Sequence, residues 1–261
     1  MDATRILCQH HEFSTTIKLK NYRTNNIFMK GLFITATDTG VGKTIIGAAL
    51  ASIIRRSGVD VGVMKPFASA DKVFSRKHKS EDVALLAKAA QVTDPDEQIN
   101  PFFYQVPTAP FVASKLNFKN KVNISYALKI YHTLCAKHDF MIVEGIGGVM
   151  VPLTKKKYIA NFAKSLGLST IIVSSSKLGT INHTLLTIKV CKCFGLNPIG
   201  IIINGIEEKN DSLVKDKVIE AIEELSDVKI LGVIPFLKTL NLSKMRLTIE
   251  RNLDINEILL M

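Results

Sequence analysis

The stretch Gly31-Leu-Phe-Ile-Thr-Ala-Thr-Asp-Thr-Gly-Val-Gly-Lys-Thr44 leaves few folds open to this chain. It begins as a short apolar run, Leu32 to Ala36, of the kind a buried strand needs. It turns through Thr37 to Gly42 and enters an apolar helical pattern from Ile45 to Arg56. A strand, a glycine-containing loop closed by Gly-Lys-Thr, and then a helix form the context of a phosphate-binding loop. Successive backbone N–H groups in such a loop nest around phosphate oxygens, and the helix N-terminus adds the positive end of its dipole. Gly40 and Gly42 let the backbone approach closely because they carry no Cβ. Lys43 is expected to bridge terminal phosphates, and the Thr44 hydroxyl to hold Mg²⁺. Thr37 stands where the usual pattern has its first glycine.

The rest of the chain repeats the same rhythm. Gly58 is a natural stop for the first helix, and the apolar run Val59 to Met64 ends at Lys65-Pro66. Glu81 to Ala90 reads as a helix with Ser80 as its N-cap and acids in its first turn. Residues 94–120 are Pro-rich and read as irregular, and a long loop of that kind is usually functional. Residues 123–137 read as another helix. Four further apolar runs follow, Phe140–Val143, Thr170–Val173, Ile199–Ile203 and Lys229–Val233, with helical patterns between them. Continuous apolar runs, rather than alternation, mean strands covered on both faces. The expected fold is therefore a doubly wound, mostly parallel α/β sheet with right-handed crossovers. Ligands in such folds sit at the carboxyl ends of the strands. Lys43, Lys65, Glu144, Ser174, Asn204 and Pro235 all fall at such ends.

Composition narrows the function classes. The hydrophobic fraction of 47% and charged fraction of 22% belong to a globular protein, and no apolar run approaches a membrane span. The net charge of +11 is carried by scattered lysines with short clusters at 76–79 and 155–157. No basic stripe interleaved with aromatics is present, so nucleic-acid and membrane partners are not expected. Cys8, Cys135, Cys191 and Cys193 form neither a disulfide framework nor a metal spacing, and Cys191 and Cys193 should face different sides of a helix. Reduced thiols and the lack of a secretory core in the first residues point to the cytoplasm. Residues 1–28 read as a disordered extension, with an artefact of start-codon choice (Met29 being the functional start) or, from their basic, acid-poor composition, an organelle transit peptide as alternatives, and residues 29–261 read as a single phosphate-loop domain.

The side chains at the strand ends suggest a chemistry. Thr44, Asp82 and Glu144 supply a hydroxyl and carboxylates, an oxygen set suited to Mg²⁺ on a triphosphate. Lys43 and Lys65 add positive charge near the phosphoryl group in transfer. His183 is read as a structural hydrogen-bonding residue just inside a helix. The reading is phosphoryl transfer from ATP to a small acceptor, with Lys65 as the additional electrophilic group.

The ordered set Thr37–Thr44, Lys65-Pro-Phe-Ala-Ser69, Ser80-Glu-Asp82, Pro107-Thr-Ala-Pro110, Glu144-Gly-Ile-Gly-Gly148 with Val151-Pro-Leu-Thr154, Leu178–His183, Ile203-Asn-Gly205 and Gly232–Pro235 resembles dethiobiotin synthetase. The resemblance runs from about Met29 to Leu237. It implies an ATP-dependent cyclo-ligase of biotin biosynthesis that acts on 7,8-diaminononanoate and CO₂ as a homodimer. By that resemblance Lys43 and Lys65 contact the phosphates and the carbamate. Gly40, Val41, Gly42, Thr44 and Ile45 bind ATP together with Asp82, Glu144, Gly145, Ile146 and Gly147. Asn204, Gly205, Pro235, Phe236 and Leu237 cradle adenine. Thr39, Ser69, Gly148 and Val149 touch substrate, and residues 148–153 lie near the dimer interface. Ile146 and Ala70 depart from the smaller residues common at those positions.

Two other classes share this fold. An amide-forming ATPase of the cobyrinate type usually carries a glutaminase domain, for which this chain has no room. A partitioning ATPase has a second loop lysine where this chain has Asp38, and lacks Lys65-Pro66.

Overall fold

The computed structural model describes residues 30–116, 121–206, 212–239 and 241–260. The extension 1–28 and Met29 lie outside the described residues. In chain order the elements are β1 (Lys30–Ala36), α1 (Lys43–Arg56), β2 (Val61–Met64), β3 (Phe67–Ser69), α2 (Glu81–Ala90) and α3 (Asp96–Ile99). There follow β4 (Phe102–Tyr104), α4 (Pro110–Leu116), α5 (Ile124–Cys135), β5 (Phe140–Glu144), α6 (Ile159–Leu166) and β6 (Ser169–Ser175). The chain closes with α7 (Thr180–Cys193), β7 (Asn197–Ile206), α8 (Ser212–Leu225), β8 (Ile230–Pro235), α9 (Leu242–Asn252) and α10 (Ile255–Leu260).

The six-stranded sheet has the order β2-β5-β1-β6-β7-β8, and every pairing in it is parallel. Strand order reverses at β1, which lies between β5 and β6, so the loop leaving β1 opens at the switch point where α/β folds bind ligands. The apolar runs are buried on both sides, as a parallel sheet demands. Ile34, Ala36, Ile142, Ile171 and Val173 pack under α1 and α2 with Leu50, Ile54 and Leu86. Phe33, Met141, Val143 and Ile172 pack on the other face with Phe67, Tyr131 and Phe162. The right-hand edge is closed by α9, which lays Met245 and Ile249 into the first of these cores.

Three sequence expectations change. Residues 94–120 are not wholly irregular: they form α3, α4 and the short strand β4, which pairs in parallel with β3 as a separate two-stranded sheet. Ser80 does occupy the N-cap position of α2, but its side chain makes no capping bond and is buried. The His183 ring is exposed and makes no hydrogen bond among the described residues; its backbone alone is engaged, the N–H donating to the Gly179 carbonyl and the carbonyl accepting from Thr187 Oγ1. Cys191 is buried and Cys193 exposed, as the helical spacing requires.

Candidate active site

The loop after β1 is pinned at its start, where Thr37 N–H donates to the Val173 carbonyl at 3.0 Å. Gly40 and Gly42 then take φ of 75° and 96°, left-handed values that cost a glycine little. Gly42 is also needed for space, since a Cβ there would stand 2.1 Å from Asn204 Nδ2. The same Asn204 amide donates to the Val41 carbonyl at 2.9 Å and ties β7 to the loop. From Gly40 to Ile45, no backbone N–H donates to a protein atom among the described residues. Unpaired N–H groups in succession, at the start of a 14-residue helix, are what an anion with several oxygens requires. Lys43 arches back so that Nζ donates to the Asp38 carbonyl at 3.2 Å. Burial, reinforced by the charge of Lys65 and opposed by Glu144, holds the Lys43 ammonium below the usual lysine range.

The second part of the site joins the ends of β2 and β5 to the start of α2. Lys65 follows β2 and is buried; Nζ stands 2.5 Å from Asp82 Oδ2 and 2.5 Å from Glu144 Oε1. Thr44 Oγ1 donates to the same Glu144 oxygen at 2.9 Å. Burial alone would lower the Lys65 pKa, but Glu144 and Asp82 outweigh it and raise it above the usual value. Burial likewise works against the Asp82 carboxylate, and the adjacent Lys65 more than offsets it, so Asp82 lies below the usual range. Glu144 is wholly buried, and its Oε2 has no hydrogen-bond partner among the described residues. A buried carboxylate oxygen left open is costly unless a ligand completes it. Thr44, Asp82 and Glu144 gather around Glu144 Oε1 as an oxygen-only set, whose chemistry fits a hard divalent cation such as Mg²⁺.

The remaining expected residues gather around these two parts. Gly145 N–H donates to the Ile34 carbonyl, so the turn after β5 leaves flush with β1. Gly147 has φ of 58°, and a Cβ there would meet Val151 at 2.7 Å and Thr39 Oγ1 at 3.4 Å. A Cβ on Gly148 would meet the Ala36 carbonyl at 3.1 Å, which places this turn hard against the loop leaving β1. Ile146 is half-buried on the second core. Val149 has a buried side chain, and its carbonyl accepts from Ala160 N. Ser69 ends β3, half-buried. Gly205 follows Asn204 with φ of 79°. Pro235, which ends β8, and Phe236 are exposed, whereas Leu237, like Val41 and Ile45, is partly buried against the first core. Sequence reading passed over Asn100, which is buried and holds the backbone of Lys65.

Sheet order, phosphate loop and the lysine–carboxylate cluster define a P-loop nucleotide-binding α/β protein. Solved structures agree on the fold. The MinD cell division protein of Aquifex aeolicus superposes with a TM-score of 0.50 at 17% identity, covering 83% of this chain and 86% of that one. The MinC:MinD complex of the same organism gives 0.51 at 18% identity, covering 84% and 87%. Sequence carries the assignment further. A family profile described as an AAA domain matches residues 30–244. The ATP-dependent dethiobiotin synthetase BioD of Nitrosopumilus maritimus is 42% identical over 231 residues, covering 88% of this chain and 100% of that one. That of Bacillus subtilis (strain 168) is 43% identical over 216 residues, covering 83% and 90%. The chain belongs to the dethiobiotin synthetase family.

Proposed function

We propose that this protein is an ATP-dependent dethiobiotin synthetase, a cyclo-ligase that turns 7,8-diaminononanoate and CO₂ into a cyclic urea and releases ADP and phosphate. The observation that carries the reading is the buried Lys65 ammonium held by Asp82 and Glu144 beside the phosphate loop. One amine of the substrate adds to CO₂ and gives up a proton, forming a carbamate. A carbamate oxygen attacks the terminal phosphorus of ATP, and the bond to ADP breaks. The second amine then attacks the carbonyl of this mixed anhydride, the ring closes, and phosphate leaves.

Each residue has a distinct task. The N–H groups from Gly40 to Ile45 and the Lys43 ammonium hold the phosphates and meet the charge that develops on the group in transfer. Lys65 stands between two anions that must approach each other, the carbamate and the triphosphate. Two unit charges at about 4 Å repel by roughly 4 kcal/mol at an effective dielectric of 20, so an ammonium between them lowers the barrier. Thr44, Asp82 and Glu144 would hold Mg²⁺, which when bound neutralises phosphate oxygens. Asn204, Gly205 and Pro235 to Leu237 would cradle the adenine ring. Thr39, Ser69, Gly148 and the Val149 N–H would line the diamine.

The working form is read as a cytoplasmic homodimer, built from residues 29–261 as one domain, with 1–28 outside it. Supporting the dimer, Met150 is exposed within the 148–153 segment, and α4, tied to that segment by Phe111 N–H on the Pro152 carbonyl, exposes Val112 and Leu116. Supporting the location, Cys135, Cys191 and Cys193 are free thiols. Among the described residues no helix is long and apolar enough to cross a membrane.

The test is ATP turnover with and without diamine and bicarbonate. Turnover is expected to be slow alone and to rise sharply when both are present, with labelled bicarbonate appearing in the urea carbonyl. Lys65→Gln is expected to keep ATP binding and lose most of the stimulated rate, because its interaction strengthens only as the anions meet. Unstimulated turnover with no label incorporated would reduce the protein to a generic ATPase.

A further inference from the structure

Lys65 does not reach its carboxylates by its own rotamer alone. The peptide from Lys65 to Pro66 lies where β2 ends and the chain crosses to β3, a place where a strand has lost its ladder. It is gripped there by a turn from far along the sequence. Lys65 N–H donates to the Ile99 carbonyl at 2.8 Å. Asn100 Nδ2 donates to the Lys65 carbonyl at 2.6 Å, across a separation of 35 residues, and to the Phe102 carbonyl at 3.3 Å. Phe102 N–H closes the grip on the Pro66 carbonyl at 3.1 Å. Asn100 is itself fixed from behind, since its N–H donates to the Asp96 carbonyl at 2.6 Å and its neighbour Ile99 is wholly buried.

The side chain of Asn100 is an odd choice for stability. It is 3% exposed, yet its Oδ1 has no hydrogen-bond partner among the described residues. The open oxygen costs the fold, and only the two carbonyls that its amide nitrogen satisfies offset that cost. What the amide supplies is a pair of donors aimed at two carbonyls, and one of those belongs to the residue whose ammonium meets both carboxylates. A four-carbon side chain carries any tilt of its backbone out to Nζ.

We propose that Asn100 is a positioning residue for the ring-closing reaction: it sets the Lys65 backbone so that the ammonium stands between Asp82 and Glu144. It touches neither nucleotide nor substrate and acts only through Lys65. The inference rests on the role given to Lys65 above.

The experiment is a double-mutant cycle on stimulated turnover, with ATP affinity measured alongside. Asn100→Ala is expected to lower the stimulated kcat by about 100-fold, the scale of a small misplacement of a catalytic group, while the Kd for ATP changes less than about threefold. In the Lys65→Gln background, Asn100→Ala is expected to add almost nothing, because its target is already gone. Asn100→Ser keeps a donor and is expected to recover part of the rate. It also serves if the alanine variant fails to fold. Losses that add fully in the double variant, or a folded serine or alanine variant with the wild-type kcat, overturn the positioning role. A Lys65→Gln enzyme with the wild-type stimulated rate overturns instead the role of Lys65, and is read independently of Asn100.

Discussion

The two ends of the sheet each carry a cluster of opposite charges, and the clusters are built to different rules. At the amino ends of β2 and β5, His138 lies between two aspartates, with Nδ1 2.8 Å from Asp60 Oδ2 and Nε2 2.9 Å from Asp94 Oδ2. Arg55 takes the other oxygen of Asp60 at 2.5 Å, and Lys137 the other oxygen of Asp94 at 2.8 Å. Every carboxylate oxygen there has a protein partner, and the outer members reach solvent. At the carboxyl ends of the same two strands, Lys65 and Glu144 are buried, and one Glu144 oxygen is left open. A saturated cluster is complete without a ligand and can only hold strands together. An unsaturated one, buried where its desolvation is hardest to offset, is poised to accept something. Composition alone does not separate the two; satisfaction and burial do.

That contrast can be broken by substitution. The largest effect is expected at the carboxyl end. Lys43→Ala removes a preorganised charge from the terminal phosphates and should raise the barrier by on the order of 3 kcal/mol, a loss of 100-fold or more in stimulated ATP turnover. Turnover close to wild type would undo the assignment of the phosphate loop.

An intermediate effect is expected from the carboxylates. Asp82→Asn and Glu144→Gln should each shift the Mg²⁺ titration of activity to higher concentration while the fold survives. An unchanged titration curve for either variant would make that residue a partner of Lys65 and nothing more.

The smallest effect belongs to the amino end. Asp94→Asn should leave turnover untouched and lower the melting temperature by roughly 2–4 °C, since the amide still fills the site and the charge it gives up is shared with an exposed Lys137, a pair of about 1 kcal/mol or less. Its pH dependence has a definite sign. Burial opposes the Asp94 carboxylate, but Lys137 and His138 outweigh it and hold its pKa below the usual range. Its contribution to stability is therefore present above the unfolded carboxylate value near 4 and is lost as pH falls through the lower folded value. Melting curves of wild type and variant should differ at pH 6 and converge in acid. A loss of turnover in this variant would mean that the two ends are coupled.

How much of this could be read from residues alone follows the range of each interaction. The phosphate loop was legible because its chemistry is contiguous: strand, glycines, Lys43 and Thr44 occur in one run. The parallel sheet was legible from the uninterrupted apolar runs, and the site from the polar residues that end them. What escaped depends on distant partners. The strand β4 is only three residues long, set among prolines, and has meaning only against Phe67 to Ser69. Asn100 looks like an ordinary residue before a proline until the Lys65 carbonyl is placed beside it. Ser80 has the residue type and the position of a cap, and only coordinates reveal that its hydroxyl makes no such bond. The amino-end cluster joins Asp60, Asp94 and His138 by no spacing a motif would record.

The place of β1 in the sheet also bears on how the chain comes into being. Its neighbours on either side are β5 and β6, at residues 140–144 and 169–175. On a ribosome the phosphate loop therefore emerges long before either of its walls. At 5–20 residues per second the interval before β6 is complete is roughly 7–30 s. Through that time the apolar face of α1, with Ile46, Leu50 and Ile54, has no sheet to lie on. Non-local parallel pairing of this kind folds slowly and leaves sticky surface open meanwhile. The arrangement that puts the phosphate loop at the centre of the finished molecule makes it a segment that must wait for most of the chain before it is walled in.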